Sequence, residues 1–313
     1  MFMNFKNLIR SCFLILGIVL IVSCTTDDEP SPSENGTYNT EVAITDAPID
    51  DANVKAAFIT VADVKVDGKS LDGFQKTTIE ISSLTNGKTQ TLGNLELTNG
   101  TKSDIVLILA SDTDASGNNP ANYIVTANNE TKALVTAASE IKITDNFNVE
   151  EANNNKIVLD FDLRKAIVAD GNAGYKFVSN SELSNSIRVV NTLNAGIISG
   201  TVTGDSSAKT IVYAYKKDTF NESDAQPNSS GVQFSNAISS ATVNGNNFGL
   251  YFMEAGDYEL HFASYSDNNN DGKLEFNGLL NAKSATELNV LNIQVGANAE
   301  VKLNIVISGL LSI

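Results

Sequence analysis

Short runs in which apolar and polar residues alternate fill this chain from about residue 40 onward. EVAIT, AAFITVADVKV, TTIEISSL, SDIVLILAS, NYIVTA, EIKIT and KIVLDFDL are rich in Val, Ile, Thr and Phe. A period of two places one set of side chains on each face of an extended strand, which predicts half-buried β-strands. Asp67-Gly68, Asp72-Gly73, Asn86-Gly87, Asn99-Gly100, Asp170-Gly171 and Asn244-Gly245 punctuate the runs. Such pairs accept the positive φ that two-residue hairpin turns need, and TTIEISSLTNGKTQTL reads as a hairpin. No stretch sustains a helical period with caps; a short helix fits only near Ser179 to Asn185. After NTLNAG, at Asn191 to Gly196, the pattern restarts with GIISGTVTG, TIVYAYKK, ATVNGNNFGLYF, GDYELHFASYS, ELNVLNIQV and EVKLNIVIS. The expectation is an all-β protein with two tandem antiparallel β-sandwich-like domains, residues 38–192 and 193–313.

The first residues follow another pattern. Lys6 and Arg10 precede the apolar run Phe13–Ser23, and Cys24 follows at once in IVSC. A positive start and a short apolar run are the marks of a cleaved secretory signal. The run is shorter than the roughly twenty residues that a membrane-spanning helix needs. The small residue before Cys24 resembles the lipobox of bacterial lipoproteins, which implies a signal peptide over 1–23 and lipidation of Cys24. Residues 24–37, beginning CTTDDEPSPSENG, read as an acidic flexible tether. TTDDE is similar to the export signal that sends lipoproteins of the Bacteroidetes to the outer face of the outer membrane. Cys12 would leave with the signal, so the mature chain would have no disulfide and no thiol nucleophile.

Charge and composition narrow the chemistry. The formal charge is −16, and losing Lys6 and Arg10 makes it more negative still. That argues against nucleic-acid backbones and anionic lipid headgroups as partners, and suits divalent cations. A single histidine, His261, and the lack of Trp exclude a multi-histidine zinc site and count against a Trp-based sugar platform. His261 lies in YELHFASY on the face opposite Tyr258, Leu260 and Phe262, and reads as a surface strand residue. No G-x-S-x-G motif supplies it with a nucleophile. Tyr213 and Tyr215 share a strand face and read as core or core-edge residues.

SDNNNDGKLEF is the sharpest chemical signal. Asp267, Asn269, Asp271, Gly272, Lys273 and Glu275 match positions one, three, five, six, seven and nine of a D-x-[DN]-x-[DN]-G calcium loop. Position twelve is Gly278 instead of the usual bidentate Glu, and the flanks are strands, so the loop would join two strands of a sandwich. Ca2+ is the one cofactor expected. Thr45-Asp46-Ala47-Pro48 reads as a structural corner with Asp50 and Asp51 as an acidic rim. In KIVLDFDL, alternation places Leu159, Phe161 and Leu163 in the core and Asp160 and Asp162 on the outside.

Two resemblances follow from these residues. VAITDAPIDD, VKAAFITVADVKVDG and KIVLDFDLRKAIV together resemble the domain of unknown function 4382 family of bacterial envelope lipoproteins, over about Tyr38 to Asn191. GIISGTVTG, VYAY and FGLYFMEAGDYELHFASY resemble the carboxypeptidase regulatory-like or prealbumin-like sandwich, over about Gly196 to Ile313. The first implies a location and a domain extent, the second a fold. The functional expectation is a lipoprotein anchored in the outer membrane through Cys24 and facing the cell exterior. It would be a non-catalytic binding or adhesion module for an extracellular glycan or protein. The alternative is a structural subunit that docks on another envelope protein and has no ligand of its own; an enzyme that would use the paired carboxylates Asp160 and Asp162, as in glycoside hydrolysis, ranks third.

Overall fold

The computed structural model describes residues 36–47, 53–135, 139–171, 174–204, 209–269, 274–286 and 288–311. Strands dominate, as the alternation predicts, and the described helices are short, the longest being Asn180–Asn185. That helix begins with a capping box: the Glu182 carboxylate accepts from the Ser179 backbone N–H at 3.2 Å and from its hydroxyl at 2.6 Å.

Among the described residues, strands from residues 37–191 pair only with one another. One sheet has the order Ile187–Asn191, Asn155–Asp162, Thr37–Ala47, Gln90–Thr98. A larger one is centred on the long strand Val54–Val66, flanked by Ile105–Leu109 and Tyr123–Thr126. Val42, Ile44, Ile157, Leu159 and Phe161 of the first sheet share one core with Ile59, Val61, Leu107 and Ile124 of the second.

Strands from residues 195–310 form an eight-stranded sheet. Its order is Ser239–Thr242, Lys209–Lys216, Gly256–Ser266, Glu275–Ser284, Glu300–Leu310, Ala195–Gly204, Asn247–Glu254, with Ile293–Val295 also paired to Gly256–Ser266. Ile198, Val212, Leu250, Leu260, Phe262, Leu303 and Ile305 fill its core. A second cluster lies on the other face of the central strands. There Tyr213, Tyr215 and Tyr265 pack under Phe220, Ala225, Phe234 and Ala237, which come from an irregular segment between Lys216 and Ser239.

Among the described residues most pairings are antiparallel. Three are parallel: Thr37–Ala47 with Asn155–Asp162, Thr131–Val135 with Gly174–Phe177, and Ala195–Gly204 with Glu300–Leu310. Parallel pairs are normally covered on both faces, and the first of these is: the last six residues of Thr37–Ala47 are all buried.

Several local expectations shift. TTIEISSLTNGKTQTL is not a hairpin: Thr77–Glu80 pairs with Val54–Val66, whereas Gln90–Thr98 pairs with Thr37–Ala47. The 3-10 turn Ile81–Ser83 separates the arms, which join different sheets but bury Ile79, Leu95 and Leu97 in the core the two sheets share. Asp67-Gly68 does close a two-residue turn, with Val66 opposite Lys69. Near Asn244 the positive φ falls one residue later, on Gly245 and Asn246, and Asn244 bridges to Asn247. Of the described residues of ELNVLNIQV only Ile293–Val295 are strand. Glu275–Ser284, which the alternation does not mark, is a full strand that changes partners midway. It leaves Gly256–Ser266 after Leu279 and joins Glu300–Leu310 from Leu280.

Candidate functional site

The residues of TDAP and DFDL meet in space. Thr37–Ala47 and Asn155–Asp162 run parallel in register, setting Thr45 beside Asp160, Asp46 beside Phe161 and Ala47 beside Asp162. Leu159, Phe161 and Leu163 face the core as the alternation requires. Asp160 and Asp162 point the other way but are not on the outside: they are 6% and 5% exposed. The chain after residue 195 covers that face, and a one-strand pattern carries no information about a cover from elsewhere in the chain.

Each buried carboxylate has a cation, and each cation reaches across to backbone carbonyls of the second half. Arg188 lies 2.5 Å from Asp160 and donates to the carbonyls of Phe252 at 2.6 Å and Tyr251 at 3.4 Å. Arg164 lies 2.9 Å from Asp162 and donates to the carbonyls of Gln233 at 2.6 Å and Phe234 at 3.2 Å. Its guanidinium also sits over the Tyr213 ring, 5.2 Å from the centroid. Lys165 donates to the Ala237 carbonyl and lies 3.8 Å from Asp162. Burial pushes the Lys165 pKa down to about 8, against the pull of Asp162. Away from this row, Ser230 donates to Glu182 at 2.5 Å, and Val232 packs into the core of the first half.

Asp46 stands at the end of the same row. It is buried, accepts the Leu163 backbone N–H at 3.1 Å, and leaves Oδ2 without a partner among the described residues. Burial pushes its pKa well above the ordinary carboxylate range. The Leu163 hydrogen bond opposes that shift, and the charges of Asp162 and Asp160 add to it. Thr45 donates to the carbonyls of Leu84 and Lys88 at 2.8 and 2.7 Å, which ties the Asn86-Gly87 turn to the strand end. Gly87 has φ +75°, and a Cβ there would lie 2.5 Å from the Tyr251 ring. Tyr251 therefore packs closely against the turn. Phe252 next to it has φ +53°, a strained backbone for a bulky residue. Arg188 holds both its carbonyl and that of Tyr251.

The space here is a partly open pocket of about 20 Å³ bordered by Thr45, Asp46, Asp160, Ser240 and Tyr251. It is water-sized, with no room for a substrate. Chemically, the arrangement neutralises carboxylates and fastens one set of sheets to the other. It leaves Asp160 and Asp162 no open cleft of the width that paired-carboxylate hydrolysis requires. Arg164, Lys165, Arg188, Tyr251 and Phe252 escape a reading based on acids and motifs. The signal that could have found them is basic residues set directly within apolar runs, as in LRKAIV and IRVV.

The other candidates lie apart from this row. Cys24, Pro48, Asp50 and Asp51 fall outside the described residues. Of the calcium-type loop, Asp267, Asn269 and Glu275 are described, while Asp271, Gly272 and Lys273 are not. The loop joins two neighbouring strands of one sheet, as expected from its flanks. Glu275 accepts the Asn268 N–H at 2.7 Å, and Ser266, Asn268 and Asn277 are hydrogen-bonded to one another beside it. Among the described residues no group of three or more His, Cys, Asp and Glu is placed to hold a metal.

His261 is not a surface residue. It stacks on Phe220 with centroids 3.7 Å apart and lies 3.6 Å from Glu259. Its pKa is lowered, chiefly by burial, with Glu259 opposing. The irregular segment after Lys216 covers its face. Tyr213 and Tyr215 are fully buried, as read, with the Tyr213 hydroxyl 2.8 Å from that of Tyr265.

Residues 37–179, just under half of the chain, match the family described as "Domain of unknown function (DUF4382)". The residues that carry the match thus include the strand ends that grip the second half. No protein of curated function matches. Among solved structures, the major pilin subunit of Bacillus cereus is 11% identical, with 87% of this chain and 70% of that one covered at a TM-score of 0.21. The minor pilin of Streptococcus agalactiae is 9% identical, with 88% and 98% covered at 0.20. The major pilin protein T-13 of Streptococcus pyogenes is 10% identical, with 89% and 98% covered at 0.16. These β-rich neighbours resemble the chain only distantly and carry nothing about what it binds.

Proposed function

We propose that this chain is a non-catalytic binding or adhesion module, held in the outer membrane by lipid on Cys24 and facing the cell exterior, with an extracellular glycan or protein as its ligand. The row of ion pairs carries this reading. Asp160 and Asp162, the carboxylates with the best claim to acid–base chemistry, are committed to Arg188 and Arg164 and through them to the carbonyls of the second half. A protein that invests its buried charge in fastening its sheets together is suited to presenting a surface in a fixed geometry. Calcium bound by Asp267, Asn269, Asp271, the Lys273 carbonyl and Glu275 would stiffen the hairpin between Gly256–Ser266 and Glu275–Ser284.

The test is a glycan and matrix-protein array probed with the protein, with calcium and with chelator. Specific hits support the reading, and calcium-sensitive hits tie the hairpin to it. A blank array, together with one fixed partner recovered by cross-linking on intact cells, would replace it with the docking-subunit alternative. Metabolic labelling with a tagged acyl chain tests the anchor separately: Cys24→Ser should lose the label and release the protein from membranes.

A further inference from the structure

The second half carries an apolar opening that the proposed function does not use. It follows from the partner change of Glu275–Ser284. This strand leaves Gly256–Ser266 beyond Leu279, while Ile293–Val295 joins Gly256–Ser266 only at Gly256 to Tyr258. Between the two junctions the edge is held by a bond from the Leu260 N–H to the Val290 carbonyl at 2.8 Å. The strands splay there, and a groove of about 470 Å³ opens, within the range of small-molecule pockets.

Its floor is buried: Leu260, Phe262 and Val290 of the sandwich core line it, with Leu279 of the second cluster. Its rim is apolar and uncovered, with Leu288, Leu291 and Leu311 at 46%, 47% and 43% exposed. Isolated exposed leucines need no explanation, but three around one apolar opening mark a binding surface. His261 also borders the groove, but its ring is stacked on Phe220. Lys283 is the single lysine, arginine or carboxylate among the described lining residues. It is exposed and makes no ion pair with any described residue, in a chain of formal charge −16.

We propose that this groove binds a long-chain fatty acid, with the aliphatic chain on the Leu and Val side chains and the carboxylate at Lys283. The mostly aliphatic lining suits a flexible hydrocarbon chain. A sugar would need polar partners that the floor does not offer. The lone cation supplies charge complementarity for an anionic head.

The test is photolabelling of the full chain in zwitterionic nanodiscs with diazirine-tagged palmitate, with labelled peptides mapped by mass spectrometry. Labelling should concentrate on residues 279–284, 288–291 and 311 and be competed by excess palmitate. Leu291→Asp, an exposed rim position, should lower it about tenfold by placing a carboxylate beside the hydrocarbon chain. Lys283→Glu should lower it about threefold to fivefold, the scale of an exposed ion pair, and leave labelling by a tagged fatty alcohol unchanged. Label spread over other surfaces, failure of palmitate to compete, or equal labelling by the fatty alcohol and the acid in the unaltered protein would each overturn the proposal. So would preferential labelling of the groove by a tagged phosphatidylcholine, which would make it a contact for bilayer lipid.

Discussion

Asp160 and Arg188 stand opposite each other on neighbouring antiparallel strands, 2.5 Å apart, and the same guanidinium donates to the carbonyls of Tyr251 and Phe252. One side chain thereby joins the sheet that carries the DFDL motif to the strand Asn247–Glu254. Its removal leaves Asp160 buried without a counter-charge and two carbonyls without a donor. Arg188→Met should cost about 3–5 kcal/mol, the range for breaking one side of a buried pair. Asp160→Asn, which keeps a hydrogen-bonding side chain, should cost less. Urea unfolding followed by tyrosine fluorescence measures both; a loss below about 1 kcal/mol for Arg188→Met would mean the pair is not holding the halves together.

Gly87 and Tyr251 give a steric test of the same contact. A Cβ at Gly87 would sit 2.5 Å from the ring and on a backbone with φ +75°. Gly117 also has positive φ, +87°, but nothing lies within 4 Å of its added Cβ. Both alanine variants carry the conformational cost, and only Gly87→Ala adds the clash. Gly87→Ala should therefore be less stable than Gly117→Ala by about 1–3 kcal/mol, measured by thermal or urea unfolding. Equal losses would show that the turn does not bear on Tyr251.

Lys165 should leave a mark on the pH dependence of stability. Its pKa is about 8 when folded and 10.5 ordinarily. Below pH 8 both states are charged and the cost of burying the ammonium is fully present. Between pH 8 and 10.5 the folded state sheds a proton that the unfolded state keeps, so this group makes stability rise with pH. Lys165→Met should lack that rise, which urea midpoints taken across the interval for both proteins would reveal as a shrinking difference toward high pH.

Asp46 acts with the opposite slope. Its folded pKa lies above the ordinary 3.8, so its contribution is present below that value and falls as pH rises through the shifted range. Asp46→Asn removes the titration. The variant should gain stability relative to the parent as pH rises from 4 toward neutrality, read from the same urea midpoints. A constant difference across that range would place the Asp46 carboxyl at an ordinary pKa.

The hairpin after Ser266 offers a binding test. Asp267 and Asp271 occupy positions one and five of the calcium pattern. Calorimetry should show heat of calcium binding in the parent, and Asp267→Ala or Asp271→Ala should abolish it while leaving the far-ultraviolet dichroism unchanged. A flat titration of the parent would remove calcium from the proposed function.

Alternation carried the β class, most strand positions and the core trio Leu159, Phe161 and Leu163, because side-chain period is local; the break in that pattern near Ser179 left room for the short helix, whose capping box the structure shows. Alternation also drew attention to Asp160 and Asp162, as the turn chemistry of TDAP did to Asp46. What alternation could not carry was which face of a strand is covered. Asp160 and His261 read as outward because they oppose core residues, yet both lie under chain from far away in sequence: Asp160 under the strand Asn247–Glu254, His261 under Phe220. The partner switch in Glu275–Ser284, the separation of TTIEISSL from its supposed hairpin partner, and the meeting of Arg188 with the Phe252 carbonyl were likewise decided only in three dimensions. Each depends on long-range pairing and burial, which a period of two along one strand does not encode.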